Sequence, residues 1–297
     1  MVSTADAWAL RREIGAAEVP RDFVRAAGPD TWAYLQGQLS QDVSGLAVGE
    51  STFSLVLQPQ GKVDALVRLA RLGDEEAVLD TDAGWGEPLL ARLARFKLRV
   101  RCDLEPLDWR CVAVRGEGSV AVGPPPPGTW RVAPETPGVA GFDLIGPDPA
   151  VPEGAVRVSP EAYDALRIET GVPRMGAELD ERTIPEAAGV VGRTVSFTKG
   201  CFTGQELVAR IEARGGKVPQ RLRGVVVAAN VLPPTGAVVV VDDREVGALT
   251  SVGESIEIGA PVALAYVRRD VDPPTEATIR WEGGEAPARV EALPLVP

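Results

Sequence analysis

The sequence predicts an α+β protein of more than one domain, and three observations predict it. Residues 51–71, STFSLVLQPQGKVDALVRLAR, alternate apolar and polar positions on both sides of a Pro-Gln-Gly turn. From about residue 223 the chain becomes a series of short strands separated by turns. Two segments, 159–171 and 204–213, carry helix signals instead. A chain of 297 residues is also longer than one compact core usually serves.

Taken in order, GPDTWAYLQGQLSQDVSGL (28–46) places Trp32, Leu35, Leu39 and Val43 at helical spacing behind a Gly-Pro-Asp entry. The hairpin follows, with Pro59 at the second and Gly61 at the fourth position of its turn. EEAVLDTD reads as a third strand, GEPLLARLARF as an amphipathic helix, and KLRVRCDL and WRCVAVRG as two more strands. Cys102 and Cys111 fall inside these strands, where a cysteine is ordinarily a small buried hydrophobe. GPPPPGTW (123–130) excludes helix and central strand. In SPEAYDALRIETG, Ser159 is an N-cap, Pro160 fits the first turn, and Gly171 fits the C-terminal cap.

Composition narrows the function. A net charge of -11 and a pI near 4.8 argue against a non-specific nucleic-acid binder. No histidine is present, which removes Ser-His-Asp and Cys-His catalysis and the commonest zinc sets. Three scattered cysteines form neither a disulfide framework nor a cluster-binding quartet, so no resident metal is expected. With no signal-like start and no long apolar run, a cytoplasmic protein without a membrane partner is expected.

Two places stand out chemically. On a helical wheel of residues 160–170, Glu169 falls within the apolar arc of Ala162, Tyr163, Ala165, Leu166 and Ile168. A carboxylate there needs a partner, such as Arg167 or Arg174, or a ligand with adjacent N–H donors. In TKGCFTGQELVARI (198–211), Cys201 stands between glycines just ahead of a helix, beside Lys199. The helix dipole and the ammonium should favour its thiolate, with Glu206 opposing.

KGCFTGQE (199–206) resembles the K-G-C-Tyr/Phe-x-G-Q-E signature of YgfZ-type folate-binding proteins, relatives of mitochondrial iron–sulfur cluster assembly factors. YLQGQLSQDV, PQGKV, RIETGVPRMGAELDERTIPEAAG and VGALTS resemble further segments of that family and of the glycine-cleavage T-proteins. The resemblance implies a three-domain T-protein-like ring with a discontinuous N-terminal folate-binding domain (1–50 and 155–222). A ferredoxin-like middle domain (51–154) and a C-terminal β-barrel (223–297) complete it. It implies tetrahydrofolate or a derivative as ligand, contacted by Glu169, Asp64, Arg167 and Gln205, with Cys201 and Lys199 as the reactive pair. T-proteins carry an acidic pair where this chain has Asp64 and Ala65, and they lack the K-G-C octapeptide. The expected function is therefore folate-dependent support of iron–sulfur cluster assembly or repair in client enzymes, rather than turnover. The second reading is a folate-dependent aminomethyl- or methyltransferase.

Overall fold

The computed structural model describes residues 2–296. Helix α1 (Thr4–Arg12) is capped by the Ser3 hydroxyl, which accepts from the Ala5 N–H. Strands β1 (Gly15–Val19) and β2 (Arg21–Ala27) lead to helix α2 (Thr31–Gln38). The helical spacing that runs on to Val43 is realised only to Gln38. Leu39 turns extended and bridges Val56, so its side chain reaches the core from a bridge rather than a helix.

The hairpin forms as expected from β3 (Ser51–Leu57) and β4 (Val63–Arg71). The Gly61 N–H donates to the Gln58 carbonyl at 2.8 Å, and Gly61 takes φ +72°, a value that favours glycine. Strand β5 (Glu76–Asp82), helix α3 (Gly86–Arg95), β6 (Asp103–Leu107) and β7 (Arg110–Arg115) come next. KLRVRCDL becomes strand only from Asp103, because Arg99 adopts φ 58° and breaks the extended run. β8 (Trp130–Val132), β9 (Gly141–Gly146) and β10 (Val156–Arg157) precede α4 (Pro160–Thr170). The Ser159 hydroxyl caps α4 and Gly171 ends it in the left-handed region, as its sequence signals predict. Helices α5 (Val191–Thr194) and α6 (Gln205–Ala213) complete the first part of the chain.

One sheet runs β3-β4-β5-β2-β6 and a second β10-β1-β7-β9-β8. Residues 51–154, expected as a ferredoxin-like unit of their own, thus divide between two sheets. Each sheet is completed by a strand from residues 15–27, so the expected boundary at 50/51 does not separate two hydrogen-bonded units. The reason is pairing: β2 has partners on both sides, β5 and β6. The remainder, β11 (Gln220–Val227), β12 (Val238–Val241), β13 (Arg244–Ser255), β14 (Ala260–Arg268), β15 (Thr275–Trp281) and β16 (Gly284–Glu291), closes into a six-stranded barrel. Val225, Val239, Leu249, Ala265, Ile279 and Val290 fill it.

The period of two along β4 decides what lies where. Ala65, Val67 and Leu69 pack with Leu35, Leu89 and Leu93 of α2 and α3. Each large apolar side chain so buried contributes about 1.5–3 kcal/mol. Arg68 points to the opposite face, toward the second sheet, where Asp80 of β5 accepts from its Nε at 2.9 Å. Asp143 of β9 also pairs with Arg68 and with Arg115 of β7. Arg21 of β2 donates to the same Asp80 at 2.6 Å and to Glu135 at 3.0 Å. Charged side chains, together with Phe23, Val78, Cys111 and Ile145, therefore join the two sheets. Cys102 and Cys111 are both buried, as expected.

Candidate functional site

A cavity of about 450 Å³ opens at the edge of this charged layer. Its walls carry Asp82 from the end of β5, Glu135 from the β8–β9 connection, and Tyr163 and Asp164 from the first turns of α4. Glu18 and Glu161 add two more carboxylates, and among the described residues Arg174 is the one cation on the wall. Val19, Pro20, Ala83 and Met175 supply apolar surface. Burial pushes the Asp82 carboxyl up; Arg21 pulls it down and Glu135 adds to the rise. For Glu135, burial pulls upward, yet Arg21 with Arg193 and Arg68 holds it below the usual carboxylate range. The site is rich in acceptors and suits a ligand edge rich in N–H donors.

Helix α4 links this cavity to the barrel through Arg167. Its Nε donates to Asp164 at 2.7 Å and Nη1 to the Val172 carbonyl at 2.8 Å. Nη2 donates to Ser251 of β13 at 2.8 Å, and the Ser251 hydroxyl donates to Glu178 at 2.6 Å. Two segments that stood apart in the sequence, 167–189 and 246–251, meet here. Glu169 is 4% exposed, in keeping with its place on the apolar arc. Its partner is Arg11 of α1, neither Arg167 nor Arg174. Two residues of helix place Glu169 about 200° around from Arg167, on the side away from the cavity.

The cysteine loop is built on the hairpin turn. At Gly204, φ +81°, a Cβ would lie 2.5 Å from the Gln58 carbonyl oxygen and 2.9 Å from the Leu57 Cβ. At Gly61 a Cβ would lie 2.7 Å from the Leu207 Cβ. Both glycines are needed because the two segments touch. Phe202 is buried with Leu57, Val63 and Val208, while Cys201 beside it is an exposed free thiol. The Gln205 side chain accepts from the Phe202 N–H at 3.4 Å and helps close the loop.

Lys199 differs from expectation. Its ammonium donates to the carbonyls of Gln36, Leu39 and Gln41 at 2.7, 2.7 and 2.8 Å, tying the loop to the C-terminal end of α2. The Gln36 and Leu39 carbonyls are ones a helix end leaves unpaired, and together with Gln41 they occupy all three donors of the lysine. Burial pulls its pKa down to about 8, against the attraction of Asp42. Lys199→Met is expected to lower stability by about 1–3 kcal/mol, read by urea denaturation, because three acceptors lose one donor. A change below about 0.5 kcal/mol would mean that water replaces the ammonium.

The structure thus gathers Lys199, Cys201 and Gln205 beside the hairpin turn. Asp64, one residue into β4, accepts from Arg92 of α3 at 2.8 Å. Arg167 and Glu169 lie on opposite faces of α4. Asp82, Glu135, Asp164 and Tyr163 were missed by sequence reasoning. Asp80 and Asp82, two apart in a strand and so on one face, were the available signal.

Residues 220–297 match the family model of the Glycine cleavage T-protein C-terminal barrel domain. A Thermus thermophilus protein described as an aminomethyltransferase is 29% identical over 97% of this chain and 89% of its own length. A Haemophilus influenzae protein, described as uncharacterized, is 28% identical over 65% of this chain and 66% of its own. The crystal structure of glycine cleavage system aminomethyltransferase T from Bartonella henselae superposes with a TM-score of 0.85 at 21% identity, covering 98% of this chain and 89% of that one. These likenesses support the T-protein-like superfamily: an α+β fold ending in a six-stranded barrel. Among the described residues no helix is long and apolar enough to cross a membrane.

Proposed function

We propose that this is a YgfZ-type folate-binding protein that supports assembly or repair of iron–sulfur clusters in client enzymes, with Cys201 as its working thiol. The observation that carries the folate half is the acid-walled cavity in a T-protein-like fold. A volume of about 450 Å³ is within the range of small-molecule sites. Arg167 and Arg174 both hold Asp164 by Oδ1, so its Oδ2, with the neighbouring Glu161 carboxylate, matches the N–H donors of an aminopyrimidine edge, and Val19, Ala83 and Met175 match the faces of a flat ring. Arg174 pairs with Asp164 at 2.8 Å and, with 41% of its side chain exposed, keeps further N–H donors for the carboxylates of a tail. Tetrahydrofolate, when bound, supplies a one-carbon carrier; the chain's own residues grip its donors and shield the ring from water. In this reading Glu169 holds α1 to α4 through Arg11 rather than gripping the ring.

Cys201 carries the other half. Its thiol faces solvent on a loop whose path is set by glycine contacts, a placement suited to touching a cluster in transit as cargo. Identity to proteins described as aminomethyltransferases favours the transferase as a second reading. Against it, Asp64 is already engaged by Arg92.

Calorimetry with tetrahydrofolate and 5-formyl-tetrahydrofolate tests the folate half. Asp164→Asn should weaken binding about tenfold or more, the worth of a charge-assisted hydrogen bond. Cys201→Ala should bind as wild type, yet fail to restore iron–sulfur enzyme activity in cells lacking the protein. Loss of affinity in Glu169→Ala with none in Asp164→Asn would move the pterin out of the cavity. Full rescue by Cys201→Ala would remove the thiol from the function.

A further inference from the structure

We propose that the cleft between the C-terminal end of α4 and the start of β11 is an oxyanion site, which takes a phosphate or carboxylate group through Arg193 and Arg223. The cleft has a volume of about 270 Å³, and its lining includes Arg193, Arg221 and Arg223 but one carboxylate, Glu186. In a chain of net charge -11, such a surplus of cations in a concave place is against the trend. The acid-walled cavity has the opposite balance.

The three arginines are not equally occupied. Arg221 pairs with Glu186 at 3.0 Å and donates to the Gly216 carbonyl at 2.6 Å. Arg223 has neither an ion-pair nor a hydrogen-bond partner among the described residues, although it is half-buried. Arg193 donates one N–H to the Glu135 carbonyl at 3.0 Å and stacks 5.4 Å from the Phe53 ring centre. It too has no carboxylate within ion-pair distance among the described residues. A guanidinium presents five N–H donors, and partly desolvated ones without acceptors are costly. Burial lowers the pKa of both Arg193 and Arg223, with Arg221 adding repulsion at Arg223; Glu135 and Asp272 respectively oppose the fall without reversing it. A bound anion relieves each of these, since a fork of guanidinium donors matches carboxylate and phosphate geometry.

Size limits the ligand. At about 270 Å³ the cleft is below the range that holds a drug-sized molecule, so it takes a small anion or the anionic end of a chain. Free phosphate and a γ-linked glutamate chain present the same chemistry from two sources. The assignment does not depend on pterin binding.

The test titrates the full-length protein by calorimetry with inorganic phosphate and, separately, with tri-γ-glutamate, at constant ionic strength. Arg223→Gln and Arg193→Gln are each expected to weaken binding about tenfold or more. Arg223→Lys should retain part of it, and Arg110→Gln, an exposed cation elsewhere, should change nothing. Phosphate binding alone would assign the site to the free ion, and tighter triglutamate binding to a chain end; either supports the site. It is overturned if neither anion binds, or if Arg223→Gln and Arg193→Gln bind as wild type. Melting temperatures without anion show whether each variant folds, and Arg193→Gln stands in if Arg223→Gln does not. Neither probe contains a pterin, so failure here leaves the folate reading intact, and the reverse.

Discussion

Asp80→Ala is expected to destabilise the protein by about 3–5 kcal/mol, the cost of leaving a buried charge without its partner. Asp80 is fully buried and accepts from two arginines, Arg21 at 2.6 Å and Arg68 at 2.9 and 3.1 Å. After the substitution Arg21 keeps Glu135 and Arg68 keeps Asp143, so neither cation is wholly stranded. Each still loses one of its carboxylate partners where water does not reach. Guanidinium denaturation at constant pH reads the effect, and an unchanged m-value would assign it to the native state. An apolar pair, Arg68→Met with Asp80→Leu, should recover only part of the loss, because Arg21 still lacks Asp80 and Asp143 keeps Arg115 alone. A loss under about 1 kcal/mol in Asp80→Ala would mean that the sheets do not depend on this carboxylate.

Gly204→Ala is expected to cost about 2 kcal/mol or more and to displace the thiol loop. Two effects add. The backbone at φ +81° lies where side chains other than glycine are strained, by about 1–3 kcal/mol. The new methyl would also sit 2.5 Å from the Gln58 carbonyl oxygen, a main-chain atom of a tight turn with little room to yield. The loop or the hairpin must move, and Cys201 moves with the loop. Gly200→Ala is the control: it adjoins the same cysteine, yet its Cβ meets nothing within 4 Å. Denaturation together with the rate of Cys201 labelling by a thiol reagent should separate the two variants. Equal labelling and equal stability would mean that the glycine contact does not set the thiol's position.

What the sequence made legible was local. Ser159 and Gly171 bracket α4 because an N-cap oxygen and a left-handed C-terminal residue act within a few residues of themselves. Pro59 and Gly61 announce the turn for the same reason. Less legible was anything decided by a partner distant in the chain. Trp32 to Val43 has the spacing of a long helix, but Lys199, some 160 residues away, donates to the carbonyls where the helix stops at Gln38. Glu169 was recognised as a buried carboxylate in need of a partner, yet Arg11 is 158 residues off and no spacing rule connects them. Arg68 and Asp80 read as ordinary charges in alternating strands, until the second sheet is brought against them. Of the candidate site, the cysteine loop is contiguous and was visible; the acid-walled cavity draws on five separated stretches and was not.

Arg167 gives the molecule a mechanical connection between rooms that do not share a wall. One guanidinium holds Asp164, at the cavity, and Ser251, on the barrel. A guest that draws the Asp164 carboxylate toward itself loosens the grip on Arg167 and so changes what reaches Ser251 and Glu178. Thermodynamic reciprocity then requires the converse: a protein that settles on β13 and shifts Ser251 alters the guest's affinity by the same factor. Hydrogen exchange along β13, with and without a cavity ligand, would register that traffic. Identical exchange in the two states would show that Arg167 holds both ends without carrying a signal.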